Sequence, residues 1–530
     1  MRKEKYFITI LLVISVFLFF FGLGSMSLTD PDETFYAQTA KEMFNANEWN
    51  TPLLFGNPQF EKPILYYWLI MLSYIVFGIG EFAARFPSAV FGVIGIFGVY
   101  FLGRSLFSPL CGFLSGLVLA TSVQYLVLAK ACVTDMVLTV FILLCMLFFL
   151  LGWTKEKKIY YYISAIMAGF ATLTKGPIGL FIPGVVFLTY IAITSQWGRV
   201  KKIPIIRCVL LALLVSVPWY ILAIKLHGEL FLNEFFGLHN ITRFLKPEHK
   251  IGMSPFFYIP IVLGGIFPWT FFMIFGTWDM VKEKSSSSGI KGKHAFLLIW
   301  FLVVFIFFSV SRTKLVTYIL PLFPAIAIIT GRFLEKFIIN KGADNKIAKQ
   351  ANISMILLMI SATAASIGIA LFISHKYPQL LNGIIAADII FIVCLLITAI
   401  VFYRGKKMLS IVLLACSVFF LSVQVVNNIL PIVGDMESSS ALSYKINELA
   451  KPEEPVGGEC DHRRGIAFYT NRTDIVDVHS YSRLMSFFSR KEKVWGIIQF
   501  KHYKQLKKDK GPAVSDPLFR VGKYVLITNL

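Results

Sequence analysis

Charge is scarce in this chain. Only 15% of its 530 residues are charged, whereas 56% are hydrophobic, and the mean hydropathy is +0.70. A soluble domain cannot hide that much apolar surface, so the composition excludes a water-soluble globular protein and indicates a polytopic membrane protein. Acid is scarcer still: 30 Asp and Glu stand against 51 Lys and Arg, a formal charge of +21. The excess invites a nucleic-acid reading, but the basic residues lie mostly in short loops between apolar runs, the pattern of topology determinants. Cysteines number seven, with no CxxC pair and no metal-like spacing. Six of them (Cys111, Cys132, Cys145, Cys208, Cys394 and Cys416) lie in or beside apolar runs and read as small core residues; Cys460 alone is in a polar region. No Gly-rich phosphate loop of the GxxxxGKS kind occurs, which argues against a nucleotide donor. No A-x-A site follows the first apolar segment, so its basic start at Arg2, Lys3 and Lys5 suggests an uncleaved first helix.

What is abundant is hydrocarbon. Apolar runs lie near 7–24, 63–79, 86–106, 109–129, 136–152, 159–174, 177–195, 204–225, 256–278, 294–311, 315–332, 352–374, 383–403 and 408–430, and a bilayer core needs about 20 apolar residues per helix. If all fourteen spanned from an inside N-terminus, KEKK (155–158), GRVKK (198–202), KEKSSSSGIKGK (282–293) and RGKK (404–407) would all face outward, against the positive-inside rule. Removing one early span repairs this. Residues 63–79 are the candidate: the run is short, starts with Pro63, and carries Tyr66, Tyr67, Trp68 and Tyr74, which favour the membrane interface. The expectation is thirteen spans, N-terminus inside and C-terminus outside. Segments 25–62, 130–135, 175–176 and 226–255 then share the outer face.

After Leu430 the apolar runs stop, giving a transmembrane domain over 1–433 and a polar tail over 434–530. In that tail "GIAFYT", "DIVDV", "VWGIIQF" and "YVLITNL" read as short strands, with a helix over 440–450 between them. The expected fold is therefore an all-α polytopic membrane protein with interfacial outer-loop helices and a small C-terminal α/β domain outside. KHYKQLKKDK (501–510) reads as a solvated helix face.

Five polar constellations interrupt the apolar background. "DPDE" (30–33), with Tyr36, reads as a helix start with Asp30 as N-cap and Pro31 at the first position. That accounts for Asp30 and Pro31 without requiring Asp32 and Glu33, which could serve as a base, a metal site or a cation relay. Glu61 and Lys62 precede the interfacial run; the lysine either snorkels to headgroups or binds phosphate as a point charge. Lys175 in "LTKGPIG" sits at a tight outer turn made by Gly176 and Pro177, where it could simply be solvated. His239 and Arg243, at i and i+4, share a helical face in an aromatic outer loop that suits either anchoring or an anionic headgroup. Asp135 lies at the mouth of a span, where an acid is costly unless paired or wet. Carboxylates beside Lys and Arg on one face suit an anionic, lipid-linked substrate.

Those residues also carry a resemblance. "DPDETFYAQTAKEM", "FEKPILYYWLIMLSYIVFGIGEFAARFPSAV" and "LTKGP" are similar to the bacterial aminoarabinose transferases and their protein O-mannosyltransferase relatives, multi-spanning GT-C glycosyltransferases that use polyprenyl-phosphate sugars. The likeness covers roughly residues 7–250 with distinct motifs. It implies Asp32 as the catalytic or acceptor-positioning carboxylate with Glu33 beside it, Tyr36 as the motif's tyrosine, Glu61 and Lys62 as the Glu-Lys pair with the lysine on the carrier phosphate, and Asp135 as the second outer-loop acid. It further implies Lys175 as the lysine of the KGP turn, and His239 and Arg243 as the later His/Arg site. The transferases usually place Arg just before the motif's tyrosine, where this chain has Phe35. A phosphate-binding charge is missing there, so the sugar carrier or the acceptor is expected to differ, and lipid A is not assigned. Some relatives hold a divalent ion near the Glu-Lys and His positions, where Glu61 and His239 could do so here; the sequence itself assigns no metal or other cofactor.

The resulting expectation is a glycosyltransferase of the bacterial inner membrane that moves a sugar from a polyprenyl-phosphate (undecaprenyl-phosphate) donor to a lipid, glycan or protein acceptor on the outer face, inverting the anomeric centre. The rival reading is a multi-span transporter or lipid flippase. Against it, the charges sit at outer helix ends and no broken-helix repeat is evident.

Overall fold

The computed structural model describes residues 2–242, 254–283, 288–340, 346–509 and 511–529. Helices dominate, as the apolar runs require. The first are α1 (Arg2–Phe20), α2 (Asp32–Asn45), α3 (Leu65–Phe77), α4 (Glu81–Leu106), α5 (Pro109–Ala120), α6 (Val123–Ala129), α7 (Thr134–Lys155), α8 (Lys158–Lys175) and α9 (Ile178–Thr194). Among the described residues, eight helices are long and apolar enough to cross a membrane, and ten if each of two bent pairs counts as one span. The run expected as one span over 109–129 is one of these pairs, bending by 68° between α5 and α6. Thr121 and Ser122 turn their hydroxyls back onto the carbonyls of Leu117 and Val118, which loosens the helical ladder there. The run 256–278 likewise divides into Tyr258–Gly265 and Thr270–Lys282, bent by 109°, with Pro268 in the break.

Residues 63–79, set apart from the spans on sequence grounds, form α3. Its 13 residues reach only about 20 Å at 1.5 Å per residue, short of a bilayer core of about 30 Å.

The chain divides into two compact units. The first comprises Met1–Phe21, Phe60–Tyr66 and Ser88–Val425; the second comprises Gly22–Gln59, Tyr67–Pro87 and Val426–Leu530. The polar tail thus shares a unit with the first loop and with most of α3.

In the second unit, Leu53–Leu54 (β1) and Asn57–Pro58 (β2) form a small hairpin, whose turn donates the amides of Phe55 and Gly56 to the Glu42 carboxylate. The tail carries a five-stranded mixed sheet. Its strands are β3 (Val456–Gly458), β4 (Val476–Asp477), β5 (Trp495–Gln499), β6 (Phe519–Val521) and β7 (Tyr524–Thr528), in the order β4-β3-β5-β7-β6. β3 runs parallel to both its neighbours, and β7 antiparallel to β5 and β6. Alternation along the central strands fills both faces: Ile498, Val525 and Ile527 enter one apolar cluster, and Trp495, Ile497, Tyr524 and Leu526 the other.

The strand expected at "GIAFYT" is instead the last part of a helix, Cys460–Thr470. Ile466 and Ala467 are both buried in the apolar cluster they share with β5 and β7, and the Thr470 hydroxyl closes onto the Ile466 carbonyl at 2.7 Å. Burial of one helical face outweighed the β-propensity of an isolated Ile-Ala-Phe-Tyr stretch. The expected helix near 440–450 appears as Ser440–Leu449, and the basic run lies on a helix at Phe500–Lys508.

Candidate active site

In the first unit, α7 and α8 are antiparallel partners joined by a short basic turn. That places the start of α7 beside the end of α8. Asp135 sits in the first turn of α7 and Lys175 is the last residue of α8, so each charge lies at the helix end whose dipole favours it. They meet in an ion pair at 2.6 Å, with the carboxylate buried. Gly176 (φ +85°) ends α8 in a conformation that side chains rarely adopt, and Pro177 starts α9. The return is tight: a Cβ on Gly179 would lie 2.3 Å from the Ala171 carbonyl carbon.

The Lys175 ammonium also stands 4.2 Å from the centroid of the Tyr318 ring, in the 3-10 turn Val316–Leu322. Buried Tyr258 donates to the Leu315 carbonyl at 3.1 Å, and the Gln124 amide to the Val316 carbonyl at 2.6 Å. These contacts hold the turn against the charged pair. Lys175, at a tight turn where it could simply be solvated, instead pairs with Asp135 and faces an aromatic ring.

Glu61 and Lys62 belong to the same unit, half-buried, just after Phe60. Phe60 is buried against the rings of His227 and Phe231, 5.0 and 5.1 Å away, which fixes this corner to the helix Ile205–Phe231. The Lys62 ammonium donates to the Glu61 carbonyl at 3.2 Å, leaving the Glu61 carboxylate out of that bond. His239 lies on the π-helical segment Leu232–Thr242; its side chain and the whole of Arg243 fall outside the described residues. Among the described residues no group of three or more His, Cys, Asp or Glu is placed to hold a metal, and no chemical step is assigned to one.

In the second unit, α2 carries the first motif. Asp30 does not cap it. The helix starts at Asp32 with Pro31 as N-cap and no side-chain capping bond. Asp30 instead accepts from the Thr34 hydroxyl (2.6 Å) and the Ser439 amide (2.9 Å), and lies 2.9 Å from His462 Nδ1. A Cβ on Gly465 would come 2.4 Å from an Asp30 oxygen, which is why glycine stands there. Lys41, further along α2, donates to the Phe468 carbonyl and the Asn471 side chain; burial pushes its ammonium down to about 8.

The two acids that follow differ sharply. Glu33 is buried, and Arg85, near the start of α4, grips it with two bonds, Nε to Oε1 at 2.8 Å and Nη2 to Oε2 at 2.7 Å. Oε2 also takes the Thr29 amide and hydroxyl, each at 3.0 Å. Arg85 further donates to the carbonyls of Leu23, Met26 and Ser27. Asp32, one residue earlier, is exposed. Tyr36 is buried, its ring 5.1 Å from Phe35 and 6.2 Å from Tyr67. Arg464 lies 4.6 Å from the centroid of the Phe35 ring, so a guanidinium stands beside the position where the transferases usually carry an arginine.

Comparison with known proteins follows the same motifs. Residues 61–222 match the dolichyl-phosphate-mannose-protein mannosyltransferase family. The undecaprenyl phosphate-alpha-4-amino-4-deoxy-L-arabinose arabinosyl transferase of Edwardsiella ictaluri is 30% identical over 390 residues, 71% of this chain and 69% of that protein. The corresponding transferase 1 of Proteus mirabilis is 30% identical over 392 residues, 72% and 69%. The chain belongs to this arabinosyl transferase family. The fold agrees: the crystal structure of ArnT from Cupriavidus metallidurans bound to undecaprenyl phosphate superposes with a TM-score of 0.83 at 22% identity, over 98% of both chains. The protein is a multi-pass inner-membrane glycosyltransferase of the arabinosyl transferase family.

Within this family member the structure joins Asp135 to Lys175 directly and separates Asp32 from Glu33 by burial. Two participants escaped the sequence reading. Arg85 stands just before the apolar run over 86–106, where a flanking arginine is commonplace, and only folding shows the buried acid it holds. Tyr318 is one tyrosine among 21, and only folding distinguishes it.

Proposed function

We propose that the protein transfers a sugar from a polyprenyl-phosphate carrier to an acceptor hydroxyl or phosphate on a lipid, glycan or protein, at the outer face of the membrane. The observation that carries this reading is the contrast inside the first motif: Glu33 is saturated by Arg85 and Thr29, whereas Asp32 next to it is exposed at a helix start. Four donors hold Glu33 as a carboxylate acceptor of structural hydrogen bonds, so its role is to fix the loop. Asp32 takes the acceptor's proton, or orients an acceptor that is already anionic.

The acceptor oxygen attacks the anomeric carbon as the bond from that carbon to the phosphate oxygen breaks, and the electron pair leaves with the phosphate. The anomeric centre inverts. Lys62 and Arg243 stabilise the departing phosphate by charge, and Asp135 and Lys175 orient the region around Tyr318. Tyr36 and His239 contact substrate, and Glu61 with His239 would supply ligands if a divalent cation takes part. The relatives' names, which specify undecaprenyl-phosphate-linked aminoarabinose, support a carrier of this class.

The test is transfer by the purified protein in detergent, with radiolabelled polyprenyl-phosphate sugars and acceptors of the three classes. The expected result is a labelled acceptor of inverted anomeric configuration. Retention of configuration would remove the direct displacement. Movement of intact carrier between leaflets of a vesicle, with no transfer, would favour a flippase.

A further inference from the structure

The segment Ser311–Leu315 links the helix Ser288–Val310 to the turn that holds Tyr318. It carries two cations, Arg312 and Lys314. Arg312 is exposed, which is ordinary for a loop arginine. Lys314 is not ordinary: it is only 5% exposed. Among the described residues it has no hydrogen-bond or ion-pair partner. Burial alone pushes its pKa down, with no charged neighbour acting on it.

A lysine buried along most of its length, with no counter-charge among the described residues, leaves its ammonium available to an anion. Asp135 is committed to Lys175 at 2.6 Å. The segment is also held firmly. Ser311 donates its hydroxyl to the Thr313 carbonyl at 3.0 Å, Leu315 accepts from Tyr258, and Val316 accepts from Gln124. Neighbouring bonds therefore fix the backbone that carries the lysine.

We propose that Lys314 is an anion-binding lysine whose counter-charge arrives with the substrate, namely the phosphate of the lipid carrier. This rests on the carrier reading above. The lysine sits four residues before Tyr318, whose ring the Lys175 ammonium faces, on the segment that leads into that turn. Lys314 acts as a point charge, which a phosphate accepts from any direction. The same ammonium would also receive inorganic phosphate, only more weakly, since the polyprenyl tail would no longer hold it in place.

The experiment uses the full-length protein in detergent, as wild type, Lys314→Met and Lys314→Arg. Binding is measured for undecaprenyl phosphate, for the uncharged polyprenol and for inorganic phosphate, alongside melting without ligand. Lys314→Met should melt at or above the wild-type temperature, because it removes a charge that burial disfavours. It should bind undecaprenyl phosphate about tenfold or more weakly, with polyprenol binding unchanged, and Lys314→Arg should recover much of the loss. Equal affinity of Lys314→Met and wild type for both phosphate ligands overturns the proposal. So does a lower melting temperature with polyprenol and undecaprenyl phosphate weakened alike, the mark of a packing role. If wild type prefers inorganic phosphate in a Lys314-dependent way but shows no preference for undecaprenyl phosphate over polyprenol, the anion site stands and the carrier reading falls.

Discussion

Two adjacent carboxylates with opposite surroundings make the sharpest residue-scale contrast. Asp32→Asn keeps size and helix start while removing the charge. We expect turnover to drop by about 10²-fold or more if Asp32 is the base, with the melting temperature unchanged. Glu33→Gln should do the reverse. It leaves Arg85 buried with a neutral partner, and breaking such a pair typically costs about 3–5 kcal/mol, so the variant should melt well below wild type. Parallel melting curves and single-turnover rates for both variants check this; an unchanged rate in Asp32→Asn would reduce that residue to a helix-start acid. The motif was legible in sequence, but the division of labour within it was not. "DPDE" presents three acids of equal chemistry, and only the folded positions of Arg85, Thr29, Ser439 and His462 show that Asp30 and Glu33 are held in place by neighbouring groups.

At the scale of elements, the α8–α9 return determines where Lys175 points. Gly179 sits against the backbone of Ala171, whereas Gly184, further along α9, has open space where a side chain would go. Gly179→Val should therefore force the hairpin apart and lower thermal stability and yield, and Gly184→Val should be tolerated; comparable losses in both would contradict the packing described for this return. The topology makes a second demand on elements. A reporter fused after Gly80 should be extracytoplasmic and one after Lys157 cytoplasmic, because the Lys-rich loops are expected inside. A cytoplasmic signal at Gly80 would make α3 a span. The helices were readable because apolar runs about 20 residues long leave few alternatives. Their breaks were less so: a hydroxyl pair such as Thr121-Ser122 bends a helix only in a suitable packing context. The helix over "GIAFYT" was missed because six residues hold too little periodicity to oppose β-propensity.

For the whole molecule, hydropathy distinguished the membrane part from the polar tail at once. It could not show that the tail shares a compact unit with residues 22–59 and 67–87, since that association joins segments far apart in sequence, such as Leu28 to Tyr469, 441 positions apart and 2.7 Å from each other. The acceptor is written in no motif of the chain. The most direct measurement is the stoichiometry of donor turnover. Purified wild-type protein, given a polyprenyl-phosphate sugar and a competent acceptor, should release one polyprenyl phosphate for every sugar transferred, and Asp32→Asn should slow both products together. Sugar transfer without release of polyprenyl phosphate, or no consumption of any polyprenyl-phosphate sugar across the three acceptor classes, would contradict the account.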